Sequence, residues 1–183
     1  MIFLRGLVRG IDVINERIGR ITSWLALIMV LVQVIVVVMR YVFGLSILAM
    51  QESIWYMHSI IFLVAAGYTL LHDGHVRVDI VYGAAGPRKK ALIDLIGVIV
   101  ILLPICVMIW WVSWPYVAAA WEVREGSVEV SGIQAVYLLK TGMLVFAATL
   151  FAQGISLGLK STLTLAGIGV EATAPDDGLE HGL

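Results

Sequence analysis

The feature that most constrains this chain is the spacing of its ionisable residues, which leaves four long charge-free windows. Residues 21–39 lie between Arg20 and Arg40, and residues 53–71 between Glu52 and His72, with His58 counted as neutral. A third window of 27 residues runs from Asp94 to Glu122, and a fourth of 19 from Lys140 to Lys160. At about 1.5 Å per residue, 19 residues span about 28 Å, close to the roughly 30 Å hydrocarbon thickness of a bilayer. The expectation is an all-α membrane protein with four transmembrane helices at about 21–43, 53–71, 91–120 and 134–158. Composition agrees: 61% of residues are hydrophobic and 14% charged, against about 45–50% and 25% in soluble domains. That excludes an ordinary soluble enzyme and a disordered chain. The net charge of −1 provides no basic field for nucleic acid. Cys106, the single cysteine, can form neither an internal disulfide nor a cysteine-based zinc site.

Lysines and arginines set the expected orientation. Nine of them (Arg5, Arg9, Arg17, Arg20, Arg77, Arg88, Lys89, Lys90 and Lys160) fall on one side, and Arg40, Arg124 and Lys140 on the other. The positive-inside bias then places both termini in the cytoplasm. Residues 1–20 read as an amphipathic interfacial helix, with Leu4, Leu7, Val8, Ile11, Ile14 and Ile18 opposed to Arg5, Arg9, Asp12, Glu16 and Arg20. A cleaved signal peptide fits poorly, because the first apolar window exceeds the usual 7–15 residues.

The third window is longer than the hydrocarbon requires, so its helix should tilt or protrude. Its tryptophans, Trp110, Trp111, Trp114 and Trp121, suit an interfacial belt, and Pro104 and Pro115 are candidate kinks. His75–Tyr82 alternates in polarity and reads as a short interfacial element, and Gly86-Pro87 breaks the chain before the third helix. Residues 161–183 read as a disordered cytoplasmic tail.

Recognisable catalytic chemistry is missing. No nucleotide-binding glycine loop, HExxH pair or Ser/His/Asp set on facing helices occurs, so neither an enzyme nor a bound cofactor or metal is expected. Three histidines, His58, His72 and His75, belong to helix 2 or its inner end, so a haem between two imidazoles would require a dimer. His58 reads as a hydrogen-bonded packing residue, or else as a proton relay. Arg40, Glu52 and Lys140 fall at outer helix ends. Glu52 is open to three readings: an ion pair with Arg40 or a neighbouring subunit, plain solvation, or proton-coupled transport chemistry. Lys140 reads as a snorkelling side chain. Gln33, Gly67, Thr69 and Gln153 are almost the whole polar inventory of the windows, too little for a midplane transport site. An accessory or scaffold subunit follows, with a small self-sufficient proton-coupled exporter acting as a dimer as the alternative.

An ordered set of short motifs carries a resemblance. Arg40-Tyr41-Val42-Phe43-Gly44, Ser46, Gln51-Glu52, Phe62-Leu63, Ala66-Gly67 and His75-Val76-Arg77-Val78-Asp79 are followed by Glu129-Val130-Ser131-Gly132, Tyr137-Leu138-Leu139-Lys140 and Gln153-Gly154. Over residues 20–160 this resembles the small, DctQ-type membrane subunit of tripartite ATP-independent periplasmic (TRAP) transporters. The resemblance implies a partnership with a large multispan permease subunit that carries the substrate and sodium sites. It also implies a periplasmic substrate-binding protein, an organic acid anion as substrate, and the bacterial cytoplasmic membrane as location. Such a subunit anchors the static part of the large one and helps to dock the binding protein. Arg40, Glu52, His75, Asp79 and Lys140 become the structural or partner-interface candidates. Met50-Gln51-Glu52 keeps only the second of the two acids frequent at the start of helix 2 in that family, so a role for the first does not transfer.

Overall fold

A computed structural model describes residues 2–75, 82–83 and 85–168. It is all-α, with four helices long and apolar enough to cross a membrane. The helices are α1 (Ile2–Val42), α2 (Leu48–Val64), α3 (Ala66–Leu71), α4 (Pro87–Gly97), α5 (Leu103–Glu122) and α6 (Val136–Leu165). A π-helical turn, Val98–Leu102, joins α4 to α5, while α2 and α3 are separated only at Ala65 and together make the second span.

The N-terminal segment differs from expectation. No break separates residues 2–20 from the first span: α1 is one helix of 41 residues, about 60 Å long and twice the hydrocarbon thickness. The face it buries is also not the apolar one. Val8, Asp12, Asn15 and Thr22 are buried, whereas Leu4, Leu7 and Ile14 are exposed. Burying the apolar stripe is the rule when water lies outside. Here polar side chains on α6 face α1, and they select the polar stripe.

Other boundaries shift for simpler reasons. The second span begins at Leu48, before Glu52, and α6 continues to Leu165, so residues 161–165 are helical rather than part of a tail. Pro87 occupies the first turn of α4 as expected, where its missing N–H costs no hydrogen bond. Pro104 follows the π turn directly; a helical proline clashes with the carbonyl four residues earlier, and the wider turn there relieves that crowding. Most of His75–Tyr82, Asp79 included, and residues 169–183 lie outside the described residues.

Helix α6 is the spine of the molecule. Helices α1, α2 and α3 pack on it and on one another, and α4, the π turn and α5 pack along it as a second group. On the second group's side α6 presents Gly154 and Gly158, four residues apart, against Leu102, Leu103, Val98 and Leu95. Small residues at this spacing let membrane helices approach closely where lipid supplies no hydrophobic drive. A Cβ on Gly154 would lie 2.9 Å from Leu102 Cδ2 and 3.3 Å from Leu103 Cδ2. Gly154→Leu should therefore separate α6 from α5 and lower the thermal transition of the detergent-solubilised protein by several degrees. Gly10→Ala, at a position with nothing within 4 Å, should leave that transition unchanged or raise it, as read by tryptophan fluorescence.

Candidate functional site: two polar anchors

Polar contacts concentrate near the two ends of the bundle. Near the end where α1 begins and α6 finishes, Asp12 and Asn15 of α1 meet Gln153, Ser156 and Lys160 of α6. Ser156 Oγ donates to Asp12 Oδ1 at 2.7 Å, Gln153 Nε2 donates to the same oxygen at 3.1 Å, and Lys160 Nζ lies 2.7 Å from Asp12 Oδ2. Asn15 Nδ2 donates to Gln153 Oε1 at 2.7 Å. Spacings of three and four residues place Gln153, Ser156 and Lys160 on one face of α6, and Asp12 and Asn15 on one face of α1. Asn15, Gln153 and Ser156 are each no more than 2% exposed. One turn along α1, Glu16 accepts from Arg20 Nε at 2.8 Å and lies 2.6 Å from His72 Nε2 at the end of α3. A buried charge is tolerable only when paired and hydrogen-bonded. Asp12 meets that condition.

At the opposite end the organiser is Glu52, 7% exposed. Its carboxylate accepts from Ser127 Oγ at 2.5 Å and from the Ile133 N–H at 2.6 Å, both in the segment joining α5 to α6. Tyr56, four residues on, donates its hydroxyl to the Ile133 carbonyl at 3.4 Å. Gly132 permits this approach, since a Cβ there would lie 2.6 Å from both Glu52 carboxylate oxygens. Of the readings open for Glu52, the ion pair with Arg40 does not form within this chain: loop donors hold the carboxylate, and Arg40 is an exposed residue in the last turn of α1, favourably placed for a cation at a helix C-terminus. The Glu52 carboxylate is thus turned toward the segment joining α5 to α6, and its contacts are those of a structural residue. Lys140 does not simply snorkel either. Its Nζ lies 2.5 Å from Glu125 Oε2 and 3.9 Å from the centroid of the Tyr116 ring, and Trp121 Nε1 donates to Thr141 Oγ1 at 2.9 Å beside it.

The remaining candidates are scattered. His75 is exposed. His58 is exposed rather than packed in a helix contact, with its ring stacked on Phe62 at 6.3 Å. Gln33 is exposed on α1. Between α5 and α6 runs a groove of about 320 Å³ lined by Cys106, Val107, Trp110, Trp111, Ala147, Ala148 and Phe151, an apolar set that offers an ion nothing to coordinate. Among the described residues no group of three or more His, Cys, Asp or Glu could hold a metal ion.

Of the expected residues, the structure joins Glu52 and Lys140 to the loop between α5 and α6 and leaves Arg40 and His75 away from it. Asp12, Asn15, Ser156 and Lys160 were missed as a group. The visible signal was the three- and four-residue spacing of polar positions on two helices.

These features define a multi-pass membrane protein whose polar groups fasten helices to one another and to a loop. A family model, the DctQ component of tripartite ATP-independent periplasmic transporters, matches residues 29–161, more than half of the chain, and the chain belongs to that family. It is thus a transporter component and not an enzyme. No curated protein and no solved structure matches it.

Proposed function

We propose that the chain is the small scaffold subunit of a sodium-driven importer of organic acid anions in the bacterial cytoplasmic membrane. In this reading both termini are inside, a large permease subunit carries the transport site, and a periplasmic binding protein delivers the substrate. Family membership and the lysine and arginine bias support it.

One observation carries the scaffold role. Gln33 and His58 are exposed, and neither has a hydrogen-bonding partner among the described residues. Gln33 is nine residues from Val42, where α1 ends, and His58 ten from Leu48, where α2 begins, so they lie about 14 and 15 Å inside those helix ends. An unpaired amide or imidazole in hydrocarbon is costly, and such residues ordinarily face protein. A membrane partner that covers α1 and α2 would supply the missing hydrogen bonds.

Gln33→Leu with His58→Phe should leave the isolated chain folded and reduce recovery of the large subunit in co-purification by about tenfold, the loss of one or two intramembrane hydrogen bonds. Vesicles that contain this chain alone should show no substrate flux. Flux through the chain alone would overturn the reading.

A further inference from the structure

Two apolar hollows lie side by side on α5. One is the groove of about 320 Å³ against α6; the other, shallower and about 510 Å³, is lined by Ile99, Leu103, Pro104, Val107, Met108 and Trp111. Val107 and Trp111 belong to both. Four residues apart on one helix face, they form a ridge between the hollows, and Trp111, 79% exposed, is its crest. The local sequence accounts for this relief. The shallow hollow begins at Ile99 in the π turn and takes in Pro104 just after it, where the helix is locally widened. In the groove, Ala147 and Ala148 of α6 stand against the tryptophans of α5 and are too small to fill the space. Cys106 and Ala147, each 1% exposed, mark its floor at the contact between the two helices.

Depth and shape together decide the occupant. If Asp94 marks one edge of the hydrocarbon, Val107 and Trp111 lie about 20 and 26 Å along the helix from it. That is inside the roughly 30 Å apolar layer and close to its other edge, which falls near Trp114. No water is there to fill a hollow, and an empty one forfeits the dispersion contacts of its lining. A neighbouring helix, about 10–12 Å across with its side chains, is too broad for a crevice floored by two helices in contact. An acyl chain is narrow enough. Two hollows astride one ridge fit a molecule with two such chains. The polar chemistry agrees, because this face carries no amide or imidazole that demands a protein neighbour, as Gln33 and His58 do on α1 and α2. Its hydrogen-bonding groups are the indole N–H groups of Trp110, Trp111 and Trp114, which have no acceptor among the described residues. They stand near the membrane edge, where indoles ordinarily reach toward lipid polar groups.

We infer that α5 and α6 hold one two-chain phospholipid of the surrounding bilayer, one chain in each hollow astride Val107 and Trp111. Its ester carbonyls accept from the indoles above the ridge. This lipid completes the packing between α5 and α6 that Ala147 and Ala148 leave open, so it stays bound while the lipids around it exchange. The site requires only that the chain lies in a membrane.

Native mass spectrometry of the full chain in mild detergent, with dioleoyl phosphatidylcholine added, provides the test. One phospholipid per chain should survive a rise in detergent that strips the others. The same lipid should raise the thermal transition by several degrees, and its single-chain lyso form should not. Trp111→Ala removes the crest from an exposed position, so the variant folds; it should lower lipid retention about tenfold. Ala148→Leu, which fills the groove from the other wall, should lower it as well. Trp24→Ala, at a comparably exposed position on α1, should leave it unchanged. Equal retention by the original chain, Trp111→Ala and Ala148→Leu would overturn the inference, as would equal stabilisation by the single-chain lipid or an equal loss in Trp24→Ala. Loss of the lipid when the chain is purified with a membrane partner would overturn it too, by giving the hollows to that partner's side chains.

Discussion

Lys160→Met is expected to be the most damaging single substitution in the half of the bundle that holds the Asp12 network. It leaves Asp12, whose side chain is only 8% exposed, with two neutral donors and no counter-ion. Removal of one partner from a buried pair costs about 3 kcal/mol or more. The neighbouring Gln153 and Asn15 share the network, so the first turns of α1 should detach from α6. Asp12→Asn is the informative companion. It removes the charge while retaining an oxygen for Ser156, and Lys160, at 27% side-chain exposure, can turn toward water. Its cost should be the smaller of the two, about 1–2 kcal/mol. Hydrogen exchange over residues 4–20 measures both. Equal protection in the two variants would contradict the asymmetry.

The second large effect belongs to Glu52→Gln. A glutamine can keep one acceptor but must turn its amide nitrogen toward either Ser127 Oγ or the Ile133 N–H, and the latter is itself a donor. With Oε1 kept on the Ile133 N–H and Nε2 turned to donate to the Ser127 hydroxyl, what is lost is the charge assistance of both bonds, about 2 kcal/mol locally. The loop from Glu125 to Ile133 should become sensitive to protease while the four spans persist, as read by limited proteolysis in detergent. Charge exchange, Arg40→Glu with Glu52→Arg, should give no rescue, because Arg40 is not the partner. Restored protection in that double variant would reinstate the ion pair.

Much of the architecture was legible in the sequence because hydrocarbon thickness imposes it. Four windows between charges became four spans, and Pro87 opened its helix where its geometry permits. The boundaries were less legible, since a helix satisfies its own backbone hydrogen bonds and need not end where lipid ends; α1 and α6 run past Arg20 and Lys160 for that reason. The inward face of α1 was misread because amphipathicity was judged against water. With lipid on one side and Gln153, Ser156 and Lys160 on the other, Leu7 and Ile14 can face out while Asp12 and Asn15 face in. The partners of Glu52 were out of reach for another reason. Ser127 and Ile133 are more than 70 residues away, and one of the two contacts is a backbone N–H that no residue type reveals.

Helix α6 has a two-sided chemistry whose consequence concerns assembly. One side accepts only a close-fitting apolar neighbour across Gly154 and Gly158; the other accepts only a neighbour with hydrogen-bonding groups at the height of Gln153 and Ser156. Exchanging the two neighbours would set the Asp12 carboxylate against glycines that offer it no side-chain donor on one flank and leave amides facing methyl groups on the other. Helix α6 is thus like a lock with two unlike keyways, each side shaped for one of the two helix groups.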